Sequence, residues 1–164
     1  VDNIMTYSNA QFVVLGSGDW EYEQFFKEMQ AKYPGRFVLC QGFVPELARK
    51  IYGGSDIFLM PSKSEPCGLS QMVALRYGSI PVVRETGGLK DSITDSGDGK
   101  GNGFTFKSYN AHDMLDACLR AKSVYESKKD WNVLVKRALS CDFSWTQAAE
   151  SYIGLYKEMV DLWK

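Results

Sequence analysis

The residues of this sequence best suited to binding a ligand lie in one stretch, residues 64–70, which reads Ser-Glu-Pro-Cys-Gly-Leu-Ser. An apolar run ends just before this stretch and a helical pattern begins within it, so it links a predicted strand to a predicted helix. Pro66 and Gly68 bend the chain there. The first backbone N–H groups of the helix, from Gly68 to Ser70, have no acceptor within the helix, and the helix dipole adds positive charge. This arrangement suits an anion or a hydroxyl-rich ligand. The alternative is that the two residues before Pro66 only cap the helix.

The strand ahead of this stretch is one of four that we predict from short apolar runs, at residues 11–15, 37–40, 57–60 and 80–83. The runs are nearly continuous and rich in β-branched and aromatic residues, as is typical of parallel strands covered on both faces. The intervals between them exceed the roughly dozen residues that a crossover helix needs. We therefore expect an α/β fold, a Rossmann-like parallel sheet flanked by helices.

Right-handed crossovers bring the ends of parallel strands to one edge of the sheet, where ligands bind. The residues expected at that edge are Gly16-Ser17-Gly18-Asp19, Gln41-Gly42-Phe43, Pro61 to Gly68, and Arg84-Glu85-Thr86-Gly87-Gly88. Their glycines, hydroxyls, aromatic ring and carboxylate suit a phosphate, a base and a sugar. Two alternatives stay open: the glycines at 16 and 18 only form a tight turn, and Phe43 only covers the end of the sheet.

Helical patterns fill the intervals, at residues 20–33, 45–52 and 69–77, and Gly78 is a good left-handed cap for the third. The chain is helical from Asn110 onward, and Ser144 is placed to begin the final helix. Apolar residues continue along that helix to Trp163, more than a domain of this size needs. We expect part of its apolar face to be exposed.

Other polar residues have weaker claims to chemistry. Lys63 and Arg84 are candidates for neutralising a phosphate, with a solvated surface position as the alternative. The Gly- and Asp-rich residues 95–103 lack the ligand spacing of an EF-hand and are predicted to form a solvated loop before a short strand at 104–106. His112, the single histidine, is expected to be structural or exposed. We find no zinc-ligand pattern and no nucleophile elbow, so Cys67 matters for its backbone rather than its thiol.

Composition excludes several classes of protein. A length of 164 residues corresponds to one domain. The composition, with 45% apolar and 24% charged residues, is typical of a globular protein. A net charge of −1 argues against binding to nucleic acid or to a membrane surface. Four scattered cysteines favour a reducing compartment. There is no signal peptide and no initiator Met, so we expect a fragment of a longer protein.

The motif residues resemble a known family. The run from Asp56 to Gln71 with its Ser-Glu-Pro-Cys-Gly-Leu-Ser core, followed by Ala74 to Gly78 and Pro81 to Leu89, is similar to the donor-binding domain of bacterial glycogen synthases and plant starch synthases. The likeness extends from Gln11 to Trp145. It implies the C-terminal half of a GT-B fold and a retaining glucosyltransferase that moves glucose from ADP-glucose to the non-reducing end of an α-1,4-glucan. Residues 1–164 would then form a single nucleotide-sugar donor-binding domain.

The resemblance also implies roles for individual residues. Glu65, the one candidate catalytic residue, would hydrogen-bond the donor glucose, and Phe43 would stack on the nucleobase. The backbone N–H groups of Cys67, Gly68 and Leu69 would grip the sugar hydroxyls or the distal phosphate, and the Ser70 hydroxyl would reach a phosphate. The binding residues that follow from it are Gly16, Gly18, Phe43, Pro66, Cys67, Gly68, Leu69, Ser70, Thr86, Gly87 and Gly88. Val73 stands where many retaining enzymes of this fold have a second Glu. Glycogen and starch synthases also lack that second Glu.

The same resemblance implies what lies outside this chain. In the family a basic Arg and Lys pair that stabilises the leaving phosphates follows the first strand of the domain, and that segment should precede Val1, as should the whole acceptor-side domain. The isolated fragment is therefore expected to be inactive. No metal or other cofactor is expected, and the partners are a nucleotide sugar, an α-glucan and the N-terminal domain. The location would be the cytoplasm of a bacterium or the plastid stroma of a plant.

Two rival functions stay open, and a third is disfavoured. A UDP- or GDP-sugar-dependent transferase of the same fold would share these residues, because stacking on Phe43 tolerates any base. A non-catalytic module that binds a nucleotide or a glucan would also share them. A nucleotide-sugar epimerase would need more acid and base groups than this edge offers.

Overall fold

The computed structural model describes residues 1–163, which fold as alternating helices and strands. The helices are α1 (Asp2–Tyr7), α2 (Trp20–Lys32), α3 (Pro45–Gly54), α4 (Ser70–Tyr77), α5 (Gly87–Ser92), α6 (Ala111–Glu126), α7 (Lys128–Ser140) and α8 (Trp145–Leu162). The strands are β1 (Phe12–Gly16), β2 (Phe37–Gln41), β3 (Ile57–Met60), β4 (Ile80–Arg84) and β5 (Phe104–Phe106), and a short 3₁₀ turn spans Ser96–Asp98. The five predicted strands are therefore confirmed to within a residue or two. A helix over 87–92 is an addition to the prediction.

All strand pairs are parallel, as predicted, but the strands form two sheets rather than one. β1 pairs with β2 from Phe12↔Phe37 to Gly16↔Gln41. The second sheet has the order β3-β4-β5, with Ile57 opposite Ile80. The expected α/β class is confirmed, whereas the expectation of one continuous sheet edge within this chain is wrong. The outer strands of the two sheets, β1, β2, β3 and β5, each have a strand partner on one side only.

Burial follows from this division. β4 lies between two strands and under helices, and four of its five residues are buried. In the two-stranded sheet, by contrast, Val13 is 45% exposed and Val38 is 43% exposed. The prediction that every strand is covered on both faces is therefore correct for β4 and wrong for β1 and β2. Val13 and Val38 are register partners, so they lie on the same face of the two-stranded sheet, and that face is open to solvent.

Two apolar clusters hold the sheets. The larger one surrounds β4 and includes Leu75 of α4, Ala117 of α6 and Leu134 of α7, all almost completely buried. The smaller one joins α1, α2 and β2 through Met5, Met29 and Phe37. In it the rings of Phe12 and Phe37 stack with centroids 5.4 Å apart. Removal of apolar side chains from water is the main stabilising contribution in both clusters.

The Gly- and Asp-rich loop is more ordered than predicted, because Asp95 anchors it. The Asp95 carboxylate accepts hydrogen bonds from the backbone N–H of Thr105 at 2.7 Å and of Gly97 at 2.8 Å, and it pairs with Arg120 at 3.0 Å. Burial raises the pKa of Asp95, but these donors lower it more, so that its pKa lies below the usual range. Residues Gly97 to Lys100 are exposed, as expected, whereas Ser96, Gly101 and Gly103 are buried, so the prediction of a solvated loop is wrong for those three.

The final helix α8 stands away from both clusters. Tyr156 is 60% exposed and Trp163 is 89% exposed, which confirms that its apolar face is accessible. Ser144 is the N-cap residue, as predicted, but its side chain makes no capping hydrogen bond. Instead, the carboxylate of Asp142 accepts from the Ser144 N–H at 2.8 Å. Among residues 1–163, no helix has the length and apolar character needed to cross a membrane.

Candidate functional site

The start of α4 lacks a side-chain cap. Leu69 is the N-cap residue and Ser70 the first helical residue, so the free N–H groups begin two residues later than predicted. The first intrahelical bond at this end runs from the Val73 N–H to the Leu69 carbonyl. No side chain caps this end, so the alternative that Ser64 or Glu65 caps the helix is wrong. The amide groups of the first turn are left for another acceptor.

Gly68 makes the bend before the helix, as predicted. Its φ of +73° lies in the left-handed region, where other residues are strained. A Cβ at this position would lie 2.6 Å from Oε1 of Gln71 and 3.1 Å from Cγ of Glu65. The fold therefore requires glycine here, and the side chains of Glu65 and Gln71 converge on its Cα.

The loop after β4, which runs into the first turn of α5, packs directly against this bend. The Gly88 N–H donates to the carbonyl oxygens of Glu65 and Pro66, at 3.2 Å each. A Cβ on Gly87 would overlap the Glu65 carbonyl, and one on Gly88 would overlap the Cys67 carbonyl. The two loops thus touch through their backbones, which only glycine at both positions allows. Thr86 is the N-cap of α5, and its side chain makes no capping hydrogen bond.

Arg84 holds the loop after β3 in place rather than facing solvent. Its Nε donates to the Ser62 carbonyl at 2.9 Å, and an Nη atom donates to the Lys63 carbonyl. The guanidinium also lies 5.7 Å from the ring centroid of Tyr109. These bonds show that the solvated alternative for Arg84 is wrong, whereas its role in neutralising a phosphate stays a prediction. Lys63 is exposed, as the surface alternative expected.

The Glu65 side chain is half-buried beside this anchored loop. Its carboxylate accepts one long hydrogen bond, from the Ser62 hydroxyl at 3.5 Å. An acceptor held this weakly keeps most of its lone pairs available for a hydroxyl-bearing ligand. Of the neighbouring predicted residues, Pro66, Cys67 and Leu69 are exposed and Ser70 is half-buried, so the stretch is accessible.

The glycine loop after β1 belongs to the other sheet. The Gly18 N–H donates to one Glu23 oxygen at 3.2 Å, and the side chain of Gln41 donates to the other at 2.7 Å. Gly16 and Gly18 have no positive φ, and a Cβ on either would meet nothing within 4 Å. The tight-turn alternative is therefore not supported. The fold of the described residues does not itself require glycine at these two positions.

Phe43 projects from the end of β2. Its side chain is 92% exposed, so its ring does not cover the end of the sheet, which removes that alternative. Gly42, with φ of +105°, turns the chain just before it. An aromatic ring held out into solvent next to a strand end is available for stacking.

Hydrogen bonds join the predicted site residues into two groups. Residues 65–68 and 86–88 form one group on the three-stranded sheet, and residues 16–18 with 41–42 form another on the two-stranded sheet. Both groups follow the carboxyl ends of their strands. The sequence did not point to Glu23 and Gln71 as site residues. Glu23 accepts from the Gly18 N–H, and Gln71 donates to the Gly68 carbonyl, so each holds one of these loops. Gln71 carried one signal: it is a polar residue among the apolar positions of a short helix.

An open cleft of about 550 Å³ begins at Glu85 and is also lined by Asp95, Thr105, Asp113 and Asp116. His112 also lines it and is exposed, as expected of that residue. Within residues 1–163, no group of three or more His, Cys, Asp or Glu side chains is arranged to hold a metal ion. The thiols of the four cysteines are free.

A parallel α/β domain with glycine loops, an uncapped helix start and a projecting aromatic ring at its strand ends is typical of domains that bind nucleotides. Comparison with known proteins makes the class specific. Residues 2–135 match the family described as glycosyl transferases group 1, and the chain belongs to that family.

The relatives within this family are similar over nearly the whole chain. Glycogen synthase from Anoxybacillus flavithermus is 51% identical over 154 residues, which cover 93% of this chain and 32% of the relative. Glycogen synthase from Bacillus anthracis is 52% identical over 155 residues, 93% of this chain and 33% of the relative. The chain thus spans about a third of the length of the curated relatives it matches.

A solved structure supports the same relationship. The catalytic domain of starch synthase IV from Arabidopsis thaliana, bound to ADP and acarbose, superposes with a TM-score of 0.79 at 38% identity. The match covers 92% of this chain and 32% of that one. The family resemblance read from the motif residues and the expected GT-B half-fold are therefore confirmed.

Proposed function

We propose that this chain is the donor-binding domain of a retaining glucosyltransferase that moves glucose from ADP-glucose to the non-reducing end of an α-1,4-glucan. The observation that carries the proposal is the backbone junction between the Glu65 loop and the Gly88 loop at an uncapped helix start. Identity of 51% to a glycogen synthase and the likeness to an ADP-bound starch synthase support the choice of reaction.

The reaction breaks the bond between the anomeric carbon and the diphosphate, so negative charge develops on the leaving nucleotide. The first-turn amides of α4, with Ser70 among them, are suited to stabilise that charge, and the helix dipole adds to their effect. We propose that Glu65 hydrogen-bonds the glucose. The backbone N–H groups of Cys67, Gly68 and Leu69, which follow Pro66, would hold its hydroxyls or the distal phosphate.

The other loops complete the donor site in this proposal. Phe43, which is 92% exposed, stacks on the nucleobase. Gly16 and Gly18 let the donor approach the backbone, which agrees with the open space around both. Thr86, Gly87 and Gly88 form the wall facing the α4 start. No metal or other cofactor takes part in the proposed transfer.

The whole protein is proposed to contain more than this domain. Residues 1–164 form the donor-binding unit, and a further parallel strand joins β1 to β3, each of which has one open edge. An acceptor-side domain binds the α-glucan, and the exposed apolar face of α8 contacts it. Of the two expected locations we propose the bacterial cytoplasm, because the relatives of about 50% identity are bacterial proteins.

The test uses the whole protein and radiolabelled ADP-glucose with glycogen as acceptor. We expect glucose transfer, and we expect Glu65→Gln to abolish it while ADP binding by calorimetry is retained, because the amide keeps the size of the side chain and loses its charge. Lys63→Gln, a change at an exposed neighbour, is the matched control and should transfer normally.

The same measurements separate the rival functions. Transfer from UDP- or GDP-glucose with no transfer from ADP-glucose would identify another donor. ADP binding with no transfer by the wild-type protein would identify a non-catalytic module. Unchanged transfer by Glu65→Gln would remove Glu65 from the site.

A further inference from the structure

Gln71 is a polar side chain enclosed within the α4 start. It has no exposed surface, and its Nε2 donates to the Gly68 carbonyl at 2.8 Å and to the Ser92 hydroxyl at 3.0 Å. The Cys67 carbonyl is a third, longer acceptor at 3.4 Å. One amide group therefore contacts both the bend before α4 and the end of α5.

Ser92 extends this link to the second loop. Its hydroxyl accepts from Gln71 and donates to the Gly88 carbonyl at 2.6 Å. The Gly88 N–H in turn donates to the carbonyls of Glu65 and Pro66. The bonds thus run from Gly68 through Gln71, Ser92 and Gly88 to Glu65. The backbone from Glu65 to Gly68 closes this chain of bonds into a circuit.

The circuit includes an acceptor that the fold leaves unpaired. Oε1 of Gln71 is buried without a hydrogen-bond partner in the described structure. A buried polar atom without a partner destabilises the folded state, and an apolar side chain of the same size would avoid this cost. The contribution of Gln71 to the structure of this site therefore comes from the hydrogen bonds that its Nε2 group donates.

We propose that Gln71, acting through Ser92, is a positioning residue of the donor site. It sets the spacing between the amides at the α4 start and the backbone of Gly87 and Gly88, so that both loops reach the same diphosphate-linked sugar. This inference rests on the proposed function, because it concerns how the same site is held.

The experiment measures ADP affinity by calorimetry in the whole protein, well below the unfolding midpoint of every variant. Gln71→Met keeps the side-chain volume and removes the bonds, and we expect about tenfold weaker binding from the displaced loops. Ser92→Ala should weaken binding about fivefold. The double variant should bind no more weakly than Gln71→Met alone, because residues that act as one unit are not additive.

Two controls separate positioning from loss of stability. Met5→Ala removes a buried side chain from the other apolar cluster and should lower the unfolding midpoint without changing ADP affinity. Gln11→Met changes an exposed glutamine at the opposite end of β1 and should change neither. With ADP-glucose as the varied substrate, Gln71→Met should raise KM and lower kcat, because a displaced donor is bound less well and reacts less well.

Three outcomes would overturn the inference. Wild-type affinity in Gln71→Met removes the positioning role and leaves the proposed function intact. Fully additive losses in the double variant show that Gln71 and Ser92 act separately. Absence of ADP binding by the wild-type protein overturns the proposed function, and this inference with it.

Discussion

The amide of Gly88 donates to the carbonyl oxygen of Glu65 at 3.2 Å, which brings the loop after β4 onto the loop after β3. Residues 22 and 23 positions apart in the chain are thereby joined by backbone hydrogen bonds. A Cβ on Gly88 would overlap the Cys67 carbonyl, so the contact depends on the absence of a side chain. The shape of the candidate donor site follows from this close approach.

Gly88→Ala should therefore disrupt the site. The new methyl group has no room, and overpacking of this kind costs about 1–3 kcal/mol of unfolding free energy. We expect a lower midpoint in urea and nucleotide binding weakened by at least about tenfold. Urea unfolding followed by circular dichroism and calorimetry with ADP measure the two effects.

Gly16→Ala is the matched control for that change. Its Cβ would meet nothing within 4 Å, so stability should be kept or slightly raised. If the donor approaches this backbone closely, ADP binding should still weaken. Equal destabilisation by both substitutions would contradict the difference between the two glycines.

Phe43→Ala should weaken nucleotide binding without unfolding the protein. Stacking of a base on an aromatic ring is worth about 1–3 kcal/mol, which corresponds to roughly 5- to 150-fold in affinity. The side chain is 92% exposed, so its removal leaves no cavity. Trp145→Ala, at a residue 88% exposed elsewhere, should leave ADP affinity unchanged. The stacking role is wrong if ADP titrations of the wild-type and Phe43→Ala proteins coincide.

Asp95→Asn should destabilise the loop before β5 by about 1–3 kcal/mol at neutral pH, since charged hydrogen bonds are lost. The pKa of Asp95 is lower in the folded state than in the unfolded chain, where it is about 3.9. Its contribution is therefore complete above that value and declines as the pH falls through the lowered pKa. Urea unfolding of both proteins over a range of pH tests this.

The difference between wild type and Asp95→Asn should shrink as the pH falls below about 4. Asp91→Asn, at an exposed residue of α5, should show little difference at any pH. A gap between wild type and Asp95→Asn that stays constant into acid would show that the carboxylate charge is not responsible.

The cysteines should react with maleimide at very different rates. Cys67 is exposed, whereas burial raises the pKa of the Cys118 thiol to about 11. At pH 8 the Cys118 thiolate fraction is then about 10⁻³, and the group is also shielded. We expect Cys67 to be labelled first and Cys118 last, as read by peptide mass spectrometry.

Saturating ADP should slow the labelling of Cys67, because a donor gripped by the neighbouring amides would cover its thiol. The slow labelling of Cys118 should not change with ADP. Unaltered Cys67 labelling at saturating ADP would place the nucleotide elsewhere.

Local patterns in the sequence determined the elements and the character of the strand-end loops. Continuous apolar runs predicted four of the five strands, and Gly78 ended α4 with φ of +76°, as expected. The stretch around Glu65 also carried the family resemblance. These features depend on residues close together in the chain, whose backbone preferences and periodicity do not need the rest of the fold.

Tertiary structure alone decided how those loops are held. The division into two sheets, the engagement of Arg84 with the Ser62 carbonyl and the circuit through Gln71 and Ser92 all join residues from different elements. A side-chain pattern reports which face is apolar, but not which distant carbonyl a buried donor will reach. That choice depends on the spacing of packed helices and strands, which arises only when the whole chain excludes water from its core.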